Sequence, residues 1–569
     1  MKRLRLVLGL VLLVIVLVAA WLWFNVPGKV DLATYAPADS MLYVEFNSLA
    51  DVAHAIQYTD VWQAAAPITH SKAATDNRLL TAAARAGVGP IDSVLFARTQ
   101  VALVVLGLNT IKQEDTLKVR PEIALIAETH TTKWRTEPVM IDVVKRLANY
   151  VYGASSCVGP NGDRFECSMP GGDRKLVGQI QGTTIILANS DSALATCLEV
   201  RARTRPSIGT DAEFVRTRSR VAVPQSLGFG YISPANSAKL FSWAAPLWIG
   251  VAPVDQQLQQ LLAVNAGKIL GGIAWTAVPS GGGIEDHFVF SLEPGVATHL
   301  QPAFETAARD ENFWKLVPGS FQSLTIYRSR EPVAAWTSLD VAVSSKLDAT
   351  SAVFFGTLLR SSLLVYGINN PKEALAVLSP PLLTLKPAGV EGSVLIARVS
   401  DEARLRRSLE QENVKDWMPP QILEGLQAEP DPATEFTAVF ADGYVILGKT
   451  ENVRPCLVEL RNGQAVLTEE KKTVQNEARE STAAIVTYSN DDARLTNFIS
   501  TLLLLQGRQL SNDESAKLQN TFGRSSFAAT ETRLSATGIE RKTRSAFGQF
   551  STFIALLQPD RANSVARER

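Results

Sequence analysis

The sequence predicts an α+β protein, with an N-terminal transmembrane helix followed by two tandem related domains that contain mainly antiparallel sheets and packed helices. Three observations lead to this prediction. A long apolar segment stands near the N-terminus, the remaining chain repeats one order of segments twice, and the strands of each copy follow one another closely, as in antiparallel hairpins. Hydrophobic residues make up 46% of the 569 residues and charged residues 20%, which excludes a largely disordered chain.

The apolar segment is Leu6–Phe24. At 1.5 Å per residue, a helix of this length covers about 28 Å, close to the hydrocarbon thickness of a bilayer. Lys2, Arg3 and Arg5 precede it, and basic residues before a span favour a cytoplasmic N-terminus. A cleaved signal peptide is the alternative, but its apolar core usually has roughly 7–15 residues. We therefore predict a basic segment and an uncleaved signal anchor over residues 1–24, with the rest of the chain exported.

The chain after the anchor repeats itself. Gly283-Ile284-Glu285 matches Gly538-Ile539-Glu540 at an offset of 255, whereas Pro37 matches Pro318 at an offset of 281. Because the matches keep one order while the offset falls steadily, a tandem duplication with shorter loops in the second copy explains them. The predicted units are a first ectodomain repeat over 31–294, a helical connector over 295–312, a second repeat over 313–550, and the end of a closing helix with a charged tail over 551–569.

Within a copy, strand and helix patterns are mixed without the regular alternation of a doubly wound sheet. Val139–Val151 carries apolar residues at helical spacing, and Ser190 and Thr450 carry helix-capping signals. The glycines at 281–283 predict a hairpin turn, because an apolar strand pattern follows them. The strands predicted in the first copy are Met41–Phe46, Ser93–Ala97, Val101–Leu106, Ile123–Ala127, Arg164–Cys167, Leu176–Ile180 and Thr184–Ala188.

Four segments carry a resemblance to a known family. They are the opening strand Tyr35–Val44, the strand Gly182–Ala188, the segment Gly209–Phe214 and the strand Leu227–Ile232. Together with the anchor, their order resembles an uncharacterised bacterial family of single-pass, membrane-anchored envelope proteins that is classed as a domain of unknown function. The resemblance implies a single pass through the bacterial inner membrane, with the bulk of the chain in the periplasm or outside. It implies no activity, cofactor or catalytic residue.

The local motifs predict no catalytic, cofactor-binding or metal-binding residues. The five histidines lie far apart in the sequence, so they form no local metal motif, although a site assembled across the fold remains an alternative. Gly443–Thr450 matches the spacing of a phosphate-binding loop, but its four intervening residues have a strand pattern, which favours a chance match. Asp442 beside Gly443 is interpreted as a turn residue. Lys+Arg and Asp+Glu are equal at 56 each, which argues against a nucleic-acid partner.

Two cysteines predict a disulfide. Cys157 and Cys167 lie symmetrically about an Asn161-Gly162-Asp163 turn, so a hairpin would place them opposite each other in an exported, oxidising setting. Cys197 and Cys456 are interpreted as small buried apolar residues.

The apolar stretch Leu240–Val254 contains Trp243 and Trp248. It predicts either a buried core helix or an apolar groove for a lipid or a partner. The leading hypothesis for the function is a membrane-tethered, non-enzymatic binding or scaffolding role, with an envelope protein or a lipid as partner. The alternatives are a carrier for lipid or another hydrophobic ligand, and an envelope hydrolase whose site is assembled from distant residues.

Overall fold

A computed structural model describes most of the chain that follows the predicted anchor. The anchor Leu6–Phe24 lies outside the described residues, and no helix within them is both long and apolar enough to cross a membrane. The described residues are 26–70, 78–113, 116–152, 156–161, 163–168, 175–248, 256–307, 310–410, 418–461, 469–505, 508–522 and 527–555.

Nineteen strands in the described part of the chain join one continuous sheet. They are β1 Leu42–Phe46, β2 Gln100–Gln113, β3 Thr116–Glu128, β4 Ser156–Asn161, β5 Arg164–Ser168, β6 Lys175–Gln181, β7 Thr184–Ala188, β8 Gly228–Ile232, β9 Leu270–Ser280, β10 Gly283–Leu292, β11 Phe321–Tyr327, β12 Leu378–Pro387, β13 Val394–Val399, β14 Gln421–Glu424, β15 Phe436–Ala441, β16 Tyr444–Lys449, β17 Ile485–Asn490, β18 Phe527–Ser535 and β19 Gly538–Ser545.

The pairings place the strands in the spatial order 4-5-6-7-3-2-1-8-9-10-19-18-17-11-12-13-16-15-14. Strands β14 and β15 run parallel, and the other described pairs are antiparallel. The predicted α+β class with a mainly antiparallel sheet is therefore confirmed.

Nineteen α-helices accompany the described strands. They are α1 Leu49–Gln57, α2 Asp60–Ala65, α3 Arg78–Arg85, α4 Ile91–Arg98, α5 Lys133–Tyr152, α6 Asp191–Arg201, α7 Ala212–Val221, α8 Pro234–Trp248, α9 Gln256–Gly267, α10 Pro294–Phe304, α11 Pro332–Ser344, α12 Ala349–Leu364, α13 Pro371–Leu375, α14 Glu402–Glu410, α15 Thr450–Arg461, α16 Glu469–Glu480, α17 Asp492–Leu505, α18 Asn512–Phe522 and α19 Phe550–Ala555. Short 3-10 helices cover Leu32–Tyr35, Ile208–Thr210 and Asn312–Leu316.

Two tight turns have the residues that the sequence predicts for them. Gly281 and Gly282 join β9 to β10 with φ angles of 46° and 79°, and Asp442 and Gly443 join β15 to β16 with φ angles of 50° and 79°. Two-residue turns of this kind need positive φ at both positions, which Gly, Asn and Asp tolerate best. The turn interpretation of Asp442 is thus confirmed.

The pairing of β10 with β19 joins the two halves of the sheet. Its register places His287 opposite Lys542, and these two residues are separated by the offset of 255 that relates the repeated tripeptides. Two copies related by a twofold axis would pair their equivalent strands in this way. The middle of the sheet is therefore symmetric in register about His287 and Lys542.

On one face of the sheet, each half packs against helices of its own. In the first half, α6 and α7 cover a core that includes Tyr43, Ala102, Ile126, Phe229 and Tyr231. In the second half, α15 and α16 cover the equivalent surface, with Leu324, Leu385, Ile396, Ile446 and Tyr488 in its core.

On the opposite face, helices cross between the halves. Side chains of α17, α18 and α19 join a core with residues of the first half, and α10 packs on α11 and on strands of the second half. Each half therefore completes a core of the other. The first of these cores contains Val44, Trp62, Ala65, Trp275 and Ile284 from the first half and Leu495, Phe498, Ile499, Leu503, Leu518, Phe522, Phe547 and Phe550 from the second.

One predicted strand of the first half is wrong. Ser93–Ala97 belongs to the helix α4, which begins after Pro90 and buries Val94, Leu95 and Ala97. A short apolar run does not distinguish a strand from a buried helical turn, and here Ala97 packs with Ala50 of α1.

Candidate functional site

A cleft of about 200 Å³ lies between α16 and the strands at the centre of the sheet. Its walls come from four strands, β10, β17, β18 and β19, and from the end of α16. Its lining is rich in charged side chains and consists of Glu285, Glu477, Glu480, Ser481, Val486, Tyr488, Ala529, Glu531, Arg533, Lys542 and Arg544.

The strand register brings the charged floor of the cleft together. Side chains alternate between the two faces of a strand, so Lys542 and Arg544 of β19 face the same side. Glu285 of β10 lies opposite Arg544, and Glu531 of β18 lies opposite Lys542. Directly opposite residues have Cβ atoms about 4.5–5.5 Å apart, so the floor alternates carboxylates and cations at short range.

The helix α16 adds two further carboxylates. Glu477 and Glu480 are three residues apart and therefore share one side of the helix. Another side of the same helix packs on the sheet: Val474 and Ala478 are buried in the core that contains Tyr488. The apolar positions of α16 thus hold the acidic ones at the rim of the cleft.

The carboxylates of the cleft differ in electrostatic environment. Burial alone raises the pKa of Glu531, but hydrogen bonds from Ser481 and Arg533 bring it below its usual value, and the Arg533–Glu531 ion pair measures 2.8 Å. Burial raises the pKa of Glu477, an effect that Arg544 opposes and that Glu480 and Glu531 reinforce. Glu531 is therefore held ionised, whereas Glu477 takes up a proton more readily.

The other charged groups of the cleft lie near opposite charges without forming ion pairs with them. Lys542, Arg544, Glu285, Glu477 and Glu480 form no ion pair and no side-chain hydrogen bond within the described ranges. Charged side chains that converge in a concavity and stay unpaired are available to a ligand. Among the described residues of the lining, four carboxylates face three cations.

The residues that the sequence singled out lie elsewhere. Cys157 and Cys167 face each other in the hairpin of β4 and β5, with Cα atoms 4.0 Å apart, and form the predicted disulfide. Trp243 and Trp248 belong to α8, but their side chains lie outside the described residues, so the apolar groove stays a prediction. Cys197 and Cys456 are buried free cysteines, and burial raises the pKa of both thiols to about 12.

The phosphate-loop spacing and a metal site assembled across the fold find no support among the described residues. The residues between Gly443 and Gly448 form the strand β16, and the Thr450 hydroxyl lies 2.8 Å from the hydroxyl of Thr437, so this segment is no phosphate loop. Among the described residues, no group of three or more His, Cys, Asp and Glu side chains is arranged to hold a metal ion.

A buried carboxyl group lies on the opposite face from the cleft. Asp286 follows Glu285 in β10 and has no exposed surface. Its Oδ1 accepts hydrogen bonds from Trp275 Nε1 at 2.8 Å and from the Gln549 backbone N–H, just before α19, at 3.3 Å. Its Oδ2 has no hydrogen-bond partner among the described residues. Asp286 therefore joins a strand of the first half to the last described helix of the second.

We expect Asp286 to make the protein more stable as the pH falls from about 6 to about 4. Burial raises the pKa of Asp286 to about 6, despite the hydrogen bonds from Trp275 and Gln549 and the nearby charge of Arg494. The folded state then binds a proton that the unfolded state has already released, so folding costs more above pH 6. A shift of this size corresponds to about 3 kcal/mol.

The measurement is denaturant unfolding at a series of pH values. The variant Asp286→Asn keeps an oxygen for Trp275 and cannot ionise, so its stability should vary less between pH 4 and 6 and exceed that of the parent at pH 7. Asp92→Asn, at an exposed site on α4, is the control and should follow the parent. An Asp286→Asn profile parallel to the parent profile would contradict the expectation.

Comparisons with known protein families, with curated proteins and with solved structures find no match to this chain. The resemblance to the bacterial envelope family therefore stays a prediction.

Proposed function

We propose that this chain is a membrane-tethered, non-enzymatic binding protein of the bacterial envelope, built from two tandem related domains, and that its ligand occupies the central cleft. The observation that carries the proposal is the set of unpaired charges in the cleft, with Glu285 opposite Arg544 at its floor. The predicted signal anchor supports the tether. The disulfide between Cys157 and Cys167 is compatible with an oxidising compartment.

The symmetry of the sheet supports a site at this place. A duplicated chain forms a new junction where its two copies meet, and such junctions are common ligand sites. The register about His287 and Lys542 locates that junction, and the cleft lies beside it. The charged lining favours a polar ligand over a lipid.

A hydrolase is the second candidate. The opposite pKa shifts of Glu477 and Glu531 favour it, because a carboxyl that protonates readily beside one held ionised is the arrangement of a general acid and a general base. Release of a hydrolysis product, abolished by Glu477→Gln, would select this candidate over a pure binding role.

The test is a thermal-shift screen on the full chain in detergent micelles, followed by tryptophan fluorescence. The panel contains amino acids, organic acids, sugars and nucleotides at millimolar concentration. We expect at least one compound to raise Tm, since a ligand at a hundred times its Kd stabilises the folded state by about 2.7 kcal/mol. The double variant Lys542→Ala/Arg544→Ala should lose this shift.

The matched control is Lys517→Ala, which removes an exposed lysine of α18 outside the cleft and should keep the shift. If no compound raises Tm, or if the double variant responds like the parent, the cleft is not the binding site.

A further inference from the structure

We propose that the ligand of the central cleft is a basic α-amino acid, with one carboxylate, one α-ammonium group and a second cationic group on its side chain. This inference rests on the proposed function and deepens it. The ligand would lie with its backbone groups on the strands and its side chain along the wall that ends at α16.

The charge balance of the cleft selects the net charge of the ligand. Arg533 and Glu531 neutralise each other in an ion pair of 2.8 Å. The other described residues of the lining carry three carboxylates, those of Glu285, Glu477 and Glu480, against the two cations Lys542 and Arg544. A ligand with two cationic groups and one carboxylate brings the carboxylates and the cations of the cleft to four each, whereas a neutral or acidic amino acid leaves at least one carboxylate in excess.

The floor of the cleft matches the backbone of an α-amino acid. Glu285 and Arg544 lie directly opposite each other, so an anion and a cation are presented about 5 Å apart at the Cβ level. An α-ammonium and an α-carboxylate share one carbon atom and are similarly close. Glu285 would pair with the ammonium, and Arg544, with Lys542 on the same side of β19, would pair with the carboxylate.

The wall of the cleft matches a long aliphatic side chain that ends in a charge. Ala529 supplies partly exposed apolar surface in the same lining as the acidic residues of α16, while Val486 and Tyr488 of that lining are almost fully buried. The stem of a lysine or arginine side chain packs on such a surface while its charged end stays with polar partners. Glu477 and Glu480 are the carboxylates available to that charged end.

The size of the cleft favours a small ligand. Sites for drug-sized molecules usually have about 300–1,000 Å³. The central cleft has about 200 Å³, which suits one amino acid. A cation beside Glu477 would also favour its ionised form and so oppose the rise that burial causes in its pKa.

The test is isothermal titration of the full chain in detergent micelles at low salt with four probes. L-lysine carries all three groups, L-norleucine lacks the side-chain ammonium at nearly the same shape, Nα-acetyl-L-lysine lacks the α-ammonium, and L-lysine amide lacks the carboxylate. We expect L-lysine to bind at least 10-fold more tightly than each of the other three.

Two variants connect the side-chain ammonium and the carboxylate of the ligand to their residues. Glu477→Gln should weaken L-lysine toward the affinity of L-norleucine and leave L-norleucine unchanged. Arg544→Ala should remove most of the difference between L-lysine and L-lysine amide. Lys517→Ala is the control and should preserve the order of all four probes.

The possible results distinguish failure of the amino-acid proposal from failure of the proposed binding function. If L-norleucine binds as tightly as L-lysine, or if only another compound of the thermal-shift panel binds in the cleft, the ligand class is wrong and the binding function stands. If no compound of either set binds, both proposals fail. Equal loss of all four probes in Glu477→Gln would also overturn the inference, because it would mean that Glu477 does not recognise the side chain.

Discussion

Residues 1–307, produced without the rest of the chain, should not fold, and neither should residues 308–569. The reason is the core that crosses between the halves. Eight apolar side chains of the second half are buried there with first-half residues such as Val44, Trp62 and Trp275. At about 1.5–3 kcal/mol per buried apolar side chain, their loss removes roughly 12–24 kcal/mol, which matches or exceeds the whole stability of an ordinary domain.

The experiment is expression of each fragment alone and of both together in one cell. The fragments alone should aggregate, whereas the co-expressed fragments should purify as a 1:1 complex. Phe550→Asp in the second fragment should prevent the complex, because it places a charge in the shared core. A monomeric, cooperatively unfolding fragment 1–307 would contradict this expectation and would show that the halves are independent.

Trp275→Ala should cost about 4–5 kcal/mol in the free energy of unfolding. The Trp275 side chain is 4% exposed, and its ring contacts Phe550 and Phe553 of α19 at centroid distances of 6.3 and 5.4 Å. Truncation of a buried tryptophan typically costs about 3–5 kcal/mol. The variant also removes the donor that binds the buried carboxylate of Asp286, which adds to the loss.

Urea unfolding followed by circular dichroism measures this cost. Trp134→Ala is the matched control, since Trp134 is 75% exposed and its loss should change the stability by less than about 0.5 kcal/mol. Similar urea midpoints for the two variants would contradict the expectation that Trp275 stabilises the shared core.

The features that the sequence predicts correctly depend on neighbours in the chain. Cys157 and Cys167 flank one turn, and Asp442 and Gly443 form another, so a few consecutive residues determine each structure. Ser93–Ala97 shows the limit of such local patterns. Four consecutive apolar residues after Ser93 suit a strand as well as a helical turn, and only the packing of α4 on α1 decides between them.

Sequence patterns do not predict the helices that cross between the halves or the central cleft, and the reason is different. The pattern of α17 predicts an apolar surface but not which sheet half it covers. Glu285 and Arg544 become neighbours through the register of β10 and β19, which a local motif does not encode. The match between Gly283–Glu285 and Gly538–Glu540 was the one signal that pointed to this junction.

The contact of Phe46 with α19 sets the order in which this protein can fold. Phe46 ends β1, the first described strand along the chain, and its ring centroid lies 5.6 Å from that of Phe550 and 5.7 Å from that of Phe553. Translation proceeds at about 5–20 residues per second, so roughly 25–100 s separate the synthesis of these partners. Throughout that interval the first half carries an uncovered aromatic surface, and the contacts that close it have a very high contact order. The shared core can therefore close only after α19 has been synthesised, and until then that surface is open to aggregation.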